Sequence, residues 1–555
     1  MITSLRYRGQ SAVDAGPYRS AIAFRPNLSR EPVWLKAELK EPVRFREAMS
    51  ALHEVVVGDF RFRKKDKTAY REWLARQEEE EQAIRKLAFA EGKAQALAKM
   101  SAADPADPTK KSAAPPDLDV RFRKAHRLYW NARVKWANEL ARHDPELFRH
   151  LVPCDPIVTV APDVVFFEGF AKDESSYGCV FLDRDGLGGA QDASLGTTNV
   201  DYSMALYEGF QTLRTYRAST LEVDPTGFGV QVEGAGSVRE EKIDLPPSWL
   251  RGFGQLSAAT ALASTTVELP VETLYAVLAH LKRHREKEGP RAIRFELTPG
   301  RAPTLVLEPW DLRIESRGRV WDGAEPRTIK VWGRRRLQVL ARLLPIAERV
   351  EVRLLGSGMP SLWTVRMGEL RFVLGLSGWT TNDWASGAQL DVLVGDTLVD
   401  VDVLSRVEDT LRRERTLTRA QIANEVGAPE SATRAALHRL CKQGQAIFDY
   451  ATNAYRYRQI LDAPLGEELL GPEPAEVRDG RRHFLERDVK VLRREALGAT
   501  RTLYVARVNA TECEAVFDAD GQISKARCPC PHHQHAGLRK GPCRHLIALR
   551  MEVAR

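Results

Sequence analysis

Residues 527–549 run Arg527-Cys528-Pro529-Cys530, then twelve residues, then Cys543-Arg544-His545-Leu546-Ile547-Ala548-Leu549. Four thiol or imidazole groups fall in two tight pairs, Cys528/Cys530 and Cys543/His545, with one residue inside each pair. Each pair can pinch one side of a single ion. Three thiolates and one imidazole fill the tetrahedral shell in which structural Zn2+ is closed off. His532, His533 and His535 lie in the gap as alternative ligands, but both tight pairs are pre-positioned by their spacing, which favours them. Ahead of the first pair, Tyr504–Val508 and Glu514–Phe517 read as two strands, and Asp520-Gly521 as a turn. Behind the second pair, Leu546, Ile547, Leu549 and Met551 form a short helix with His545 near its start.

This arrangement resembles the SWIM zinc finger family, whose pattern is C-x-C, a variable gap and C-x-H, after a β-hairpin and before a helix. All four positions of that pattern are filled, by Cys528, Cys530, Cys543 and His545. The resemblance covers a small fraction of the chain and implies a zinc-stabilised module used for DNA binding or protein–protein contact. Charge bears on the same module. Of a net +8, residues 480–555 hold 15 Lys/Arg against 8 Asp/Glu. Such a basic patch attracts phosphate backbones, more weakly as salt rises, and equally suits an acidic protein. Arg539, Lys540 and Arg544 are its candidate contacts.

At 555 residues, with 43% hydrophobic and 28% charged residues, the chain reads as several globular domains of α+β class. No apolar run approaches the length of a spanning helix, and Met1-Ile2-Thr3-Ser4-Leu5-Arg6 lacks the apolar core of a signal peptide. Cys154, Cys179 and Cys441 are isolated, which argues against a disulfide scaffold and for a reducing, cytoplasmic setting.

Taken in order, residues 1–60 are a mixed N-terminal segment. Residues 61–150 read as a charged helical hairpin arm with a Pro-rich tip, the second helix carrying Phe122, Ala125, Tyr129, Ala132, Trp136 and Leu140 on one stripe. Residues 151–264 are β-rich. Glu168, Asp173 and Glu174 cluster there without a catalytic partner at a recognisable spacing, and Gly186–Gly189 lacks the Lys-Ser/Thr of a phosphate loop. Residues 265–400 hold an internal duplication. Val267–Leu269 leading to Val277–Leu281 is matched by Ile329–Val331 leading to Val339–Leu343, and the following strands correspond. Each unit reads β-α-β-β, and the two are expected to join edge to edge into one curved sheet with both helices on one face.

Residues 401–460 show a helix from Val403, a Thr418/Gln421 capping box, a turn at Gly427-Ala428-Pro429, a helix from Ser431 to Lys442 and two strands. Three helices and a hairpin in this order resemble the winged helix-turn-helix family, in which the third helix enters the major groove and the hairpin touches the backbone. The resemblance implies Ser431, Thr433, Arg434 and His438 as groove contacts and Arg456 and Arg458 as wing contacts. Residues 461–480 read as a linker and 481–555 as the zinc finger.

The sequence carries no phosphate loop, no His-Glu-x-x-His and no nucleophile elbow, and a closed four-ligand zinc site leaves no position for substrate. The expectation is a non-enzymatic adaptor with one structural Zn2+, holding DNA through the winged helix and the finger together. The alternative is a protein-interaction scaffold. The domain combination resembles bacterial SWIM proteins encoded beside MoxR-type AAA+ ATPases and von Willebrand A proteins, which implies a chaperone-like or defence-related complex.

Overall fold

The computed structural model describes residues 5–7, 12–15, 19–24, 33–58, 156–200, 207, 210–216, 218–223, 240–242, 247–262, 264–285, 291–378, 383–384, 399–460, 475–497, 501–518, 523–538 and 541–554. The helical arm expected over 61–150 lies outside them, as do Arg539 and Lys540.

Strands β1 (Leu5–Tyr7), β2 (Ala12–Ala15), β3 (Arg19–Phe24) and β4 (Trp34–Leu39) lead into helix α1 (Pro42–Val56). Then come β5 (Ile157–Val160), β6 (Val164–Phe170), β7 (Ser176–Asp183), β8 (Leu187–Ser194), β9 (Gly196–Asn199), β10 (Ala218–Val223), β11 (Glu240–Lys242) and helix α2 (Pro247–Ala261). The repeat region begins with β12 (Thr265–Leu269), α3 (Val271–Arg283), β13 (Ile293–Leu297), β14 (Thr304–Leu307) and β15 (Leu312–Glu315). It continues with β16 (Arg327–Val331), a 3-10 segment (Arg336–Arg342), β17 (Arg349–Leu354), β18 (Ser361–Met367) and β19 (Leu370–Leu376).

Each half of the repeat region therefore runs strand, helical segment, three strands. The halves do not lie edge to edge as two self-contained units. Strand β12 pairs antiparallel with β17, and β16 with β13, so the first strand of each half completes the other half's sheet. One four-stranded sheet, β15-β14-β13-β16, and one eight-stranded sheet, β12-β17-β18-β19-β7-β6-β5-β9, result. The exchange puts Val267, Leu274 and Phe295 of the first half in one apolar cluster with Leu337, Val352 and Phe372 of the second. The same exchange recurs earlier in the chain, where β9 pairs with β5 and β10 with β4.

Strands β6 and β7 are buried along almost their whole length, because helices cover both faces of their sheet. On one face Phe45 of α1 meets Phe167 edge-on. On the other, Trp249 and Phe253 of α2 meet Phe170. Gly178 permits the first contact, since a Cβ there would lie 3.0 Å from Leu52 Cδ1.

On the α2 side sit α4 (Val401–Glu414), β20 (Thr416–Leu417), α5 (Arg419–Val426), α6 (Glu430–Lys442), β21 (Ala446–Asp449) and β22 (Ala454–Tyr457). The Thr418 side chain accepts from the Gln421 backbone N–H, and the Gln421 side chain accepts from the Thr418 N–H. Two of the orphan donors at the start of this eight-residue helix are satisfied in this way. Thr418→Ala is expected to cost about 1 kcal/mol, read as faster amide exchange confined to α5.

The chain ends with α7 (Ala475–Leu485), β23 (Val489–Ala496), β24 (Arg501–Val508), β25 (Thr511–Asp518), β26 (Ile523–Arg527), α8 (Pro531–Ala536) and α9 (Arg544–Ala554). Helix α7 begins inside the expected linker. It packs on α9 at Gly480, where a Cβ would fall 2.8 Å from the Arg544 carbonyl oxygen and from Ile547. No helix among the described residues is long and apolar enough to cross a membrane.

Candidate metal centre and nucleic-acid interface

Strand β26 delivers Cys528 and Cys530 just past its end, and the start of α9 delivers Cys543 and His545. The four ligand atoms lie within 4.8 Å of one another. His545 Nδ1 is 3.5 Å from Cys528 Sγ and 4.0 Å from Cys543 Sγ. Zn–S bonds of about 2.3 Å and Zn–N bonds of about 2.0 Å, set tetrahedrally, place ligand atoms roughly 3.5–3.8 Å apart. The donor set and its spacing are those of a structural zinc site, and the protein's cysteines and histidine fit that ion.

The surroundings support the same reading. Cys528 and Cys543 are buried in one apolar cluster with Phe517, Leu546 and Leu549. A hydrogen bond from Cys543, and less strongly one from His545, draw the Cys528 thiol well below its ordinary value against burial, while Cys528 and burial push Cys543 up and burial raises Cys530, so that Cys528 is the first of the three to ionise. That favours the thiolate a metal requires. The His533 backbone N–H donates to Cys530 Sγ at 3.4 Å. Cys513, nearby on β25, is pushed up to about 12 by burial first, then by Cys528 and Cys530, and stays a thiol. The gap histidines stand outside the ligand group: His535 is exposed, and His532 Nδ1 faces Glu476 at 3.8 Å.

The winged-helix candidates are placed differently from their sequence reading. Arg456 and Arg458 are 1% and 0% exposed and do not reach solvent as wing contacts. Arg456 donates to Asp449 at 2.9 Å and to Asp163 at 2.6 Å. Arg458 donates to both oxygens of Glu168, at 3.0 and 2.8 Å, and Tyr177 donates to the same carboxylate. Arg371 of β19 completes the network with two bonds to Asp449, at 2.7 and 2.6 Å. Burial alone would raise the Asp449 carboxyl, but the arginines hold it well below the usual carboxylate range. A buried cation needs such partners; here Glu168 comes from β6 of the eight-stranded sheet, Asp163 from the turn before it, and Asp449 from β21. Glu168, whose acidic cluster has no catalytic partner in the sequence, is thus a structural counter-ion. Asp173 likewise accepts from the Ser175 N–H and hydroxyl.

Helix α6 is also covered. Thr433 is fully buried, Arg434 and His438 are half-buried, and Glu430 and Ser431 are its exposed residues. Helix α2 lies against its C-terminal half, where a Cβ on Gly254 would meet the Lys442 carbonyl oxygen at 3.4 Å. Burial, and then Arg434, Arg419 and Arg550, lower His438 to about 3, so its imidazole is neutral at physiological pH. Arg544 is half-exposed and engaged, donating to Glu476 at 2.9 Å and to Asp479 at 2.9 Å.

Exposed charge collects instead on the zinc module. Among its described residues 475–554, ten Lys/Arg side chains are exposed against three acids, Glu486, Glu495 and Glu512. The sequence showed the surplus but not its carriers, Arg478, Arg481 and Arg482 on α7 and Lys490, Arg493 and Arg494 on β23. Their signal was legible as the basic runs on either side of Asp488.

No known family profile matches the sequence, and no curated protein matches it. Among solved structures, proliferating cellular nuclear antigen from Entamoeba histolytica is similar to this chain at 12% identity and a TM-score of 0.29. The match spans 40% of this chain and 89% of that one, and a likeness at this level settles neither fold nor function.

Proposed function

We propose that the chain is a non-enzymatic adaptor that binds nucleic acid through its C-terminal module, with one Zn2+ held by Cys528, Cys530, Cys543 and His545. The carrying observation is the exposed charge among the described residues of that module, ten cations against three acids. Bound zinc would tie the end of β26 to the start of α9 and fix the basic face presented by α7 and β23. The two ligand pairs, set after a hairpin and before a helix, support a SWIM-like finger. In this reading the winged helix is a fixed support: its third helix is covered over its C-terminal half and its wing arginines are turned into the protein.

The test is binding of the full-length, zinc-loaded chain to duplex and single-stranded DNA across about 50 to 200 mM salt. Affinity is expected to fall steeply, with a logarithmic slope of about −0.9 per phosphate neutralised on duplex. Arg434→Ala, on the covered helix, is expected to leave that slope unchanged. Absence of binding at low salt overturns the reading and moves the basic face to an acidic protein partner.

A further inference from the structure

The C-terminal sheet sets two like charges directly opposite each other, with one exposed acid, Glu512, on the far side of Arg507. Lys490 of β23 stands directly opposite Arg507 of β24. Side chains in such positions are about 5 Å apart at Cβ, and like charges there are destabilising. Ala506 and Val508 are buried on the inner face, so Arg507 and Lys490 point outward. Strict alternation from Lys490 would send Leu492 outward and Arg493 in toward the core. A β-bulge intervenes: the register runs Val491 to Ala506, then Arg493 to Val505, leaving Leu492 as the extra residue. The bulge turns Arg493 onto the face of Lys490 and Arg507, the kind of re-aiming such irregularities perform beside functional sites.

Arg493 and Arg507 are 60% and 56% exposed. Their nearest acids, Glu495 and Glu512, stand 3.8 Å away in solvent, where ion pairs are weak. Lys490, Arg493 and Arg507 on β23 and β24 thus share this face with Glu495 and Glu512, both loosely held, and with Glu514 one strand further on, which stands opposite Arg527. We infer that Lys490, Arg493 and Arg507 form a phosphate seat for the nucleic-acid backbone, created by the bulge at Leu492. This rests on the nucleic-acid reading of the zinc module. It assigns the contact to the sheet face rather than to Arg544, which is already paired with Glu476 and Asp479.

Lys490→Glu separates binding from folding, because it sets a carboxylate opposite Arg507. In the full-length, zinc-loaded chain this variant is expected to unfold at the same or a higher temperature than the parent. Its duplex-DNA affinity is expected to fall at least about tenfold at low salt, with a salt slope shallower by about one to two. Arg493→Ala is expected to lower the slope by about one. Three outcomes overturn parts of this. Salt-sensitive binding by the parent that Lys490→Glu leaves unchanged removes the seat and keeps the nucleic-acid reading. No binding by the parent removes both. Displacement of the duplex by polyglutamate as readily as by excess DNA makes the seat an acidic-protein site.

Discussion

Replacing Cys528 and Cys543 together with serine is expected to release about one zinc ion per chain and to unfold the C-terminal module while the rest stays folded. Both thiols are buried, at 3% and 0% exposure, and the ion they are suited to hold would link β26 to α9. Metal binding at such sites is folding free energy, with apparent values of about 10–16 kcal/mol in zinc-finger peptides. Helix α9 supplies Leu546 and Leu549 to the cluster shared with Phe517 and α2, so its release also exposes apolar surface. Metal analysis of the purified variant and limited proteolysis read the two effects separately: cleavage sites should appear within residues 475–554 and not in the eight-stranded sheet. A triple His532/His533/His535→Ala variant should keep its zinc, because those residues stand outside the ligand group. Full metal retention in the double serine variant would sink the ligand assignment.

What could be read from sequence follows how local each signal is. The Cys528/Cys530 and Cys543/His545 pairs are legible because each fixes its own geometry within three residues. The Thr418/Gln421 box is legible for the same reason. The duplicated strand order over 265–376 could be read from short repeated patterns, but not the exchange of β12 and β16, since alternation shows that a strand has a buried face and not which edge it joins. The wing arginines were misplaced because arginine is mostly a surface residue and two of their acids, Asp163 and Glu168, lie 293 and 290 positions away; only Asp449 is a close neighbour in sequence. One half of that pairing was visible: Glu168 sits inside Val164–Phe170, an otherwise apolar run that a carboxylate can enter only with a cation beside it. The bulge at Leu492 has no local signature, because a surplus residue in a strand is defined only against its partner.

Breaking the pair between Glu168 and Arg458 from either side is expected to destabilise the junction of residues 401–460 with the eight-stranded sheet by about 3–5 kcal/mol. Both residues are fully buried, so Glu168→Gln leaves a guanidinium without its counter-charge. Arg458→Met leaves a carboxylate whose other hydrogen bond comes from Tyr177. The two losses should not add. Removing both charges eliminates the uncompensated ion that makes each single change costly, and a well-filled apolar replacement of a buried pair is often neutral. The double variant Glu168→Gln/Arg458→Met should therefore unfold at a higher temperature than either single variant. A wing contact predicts a different pattern: Arg458→Met would leave folding untouched and weaken DNA binding, and the second change at Glu168 would rescue nothing. Thermal unfolding of the three variants beside their DNA affinity at a temperature where all are folded separates the two. With the ion pair as the cause, affinity stays at the parent's value in all three, because Arg456 and Arg458 are buried and the exposed cations of the C-terminal module lie elsewhere, among them those on α7, β23 and β24.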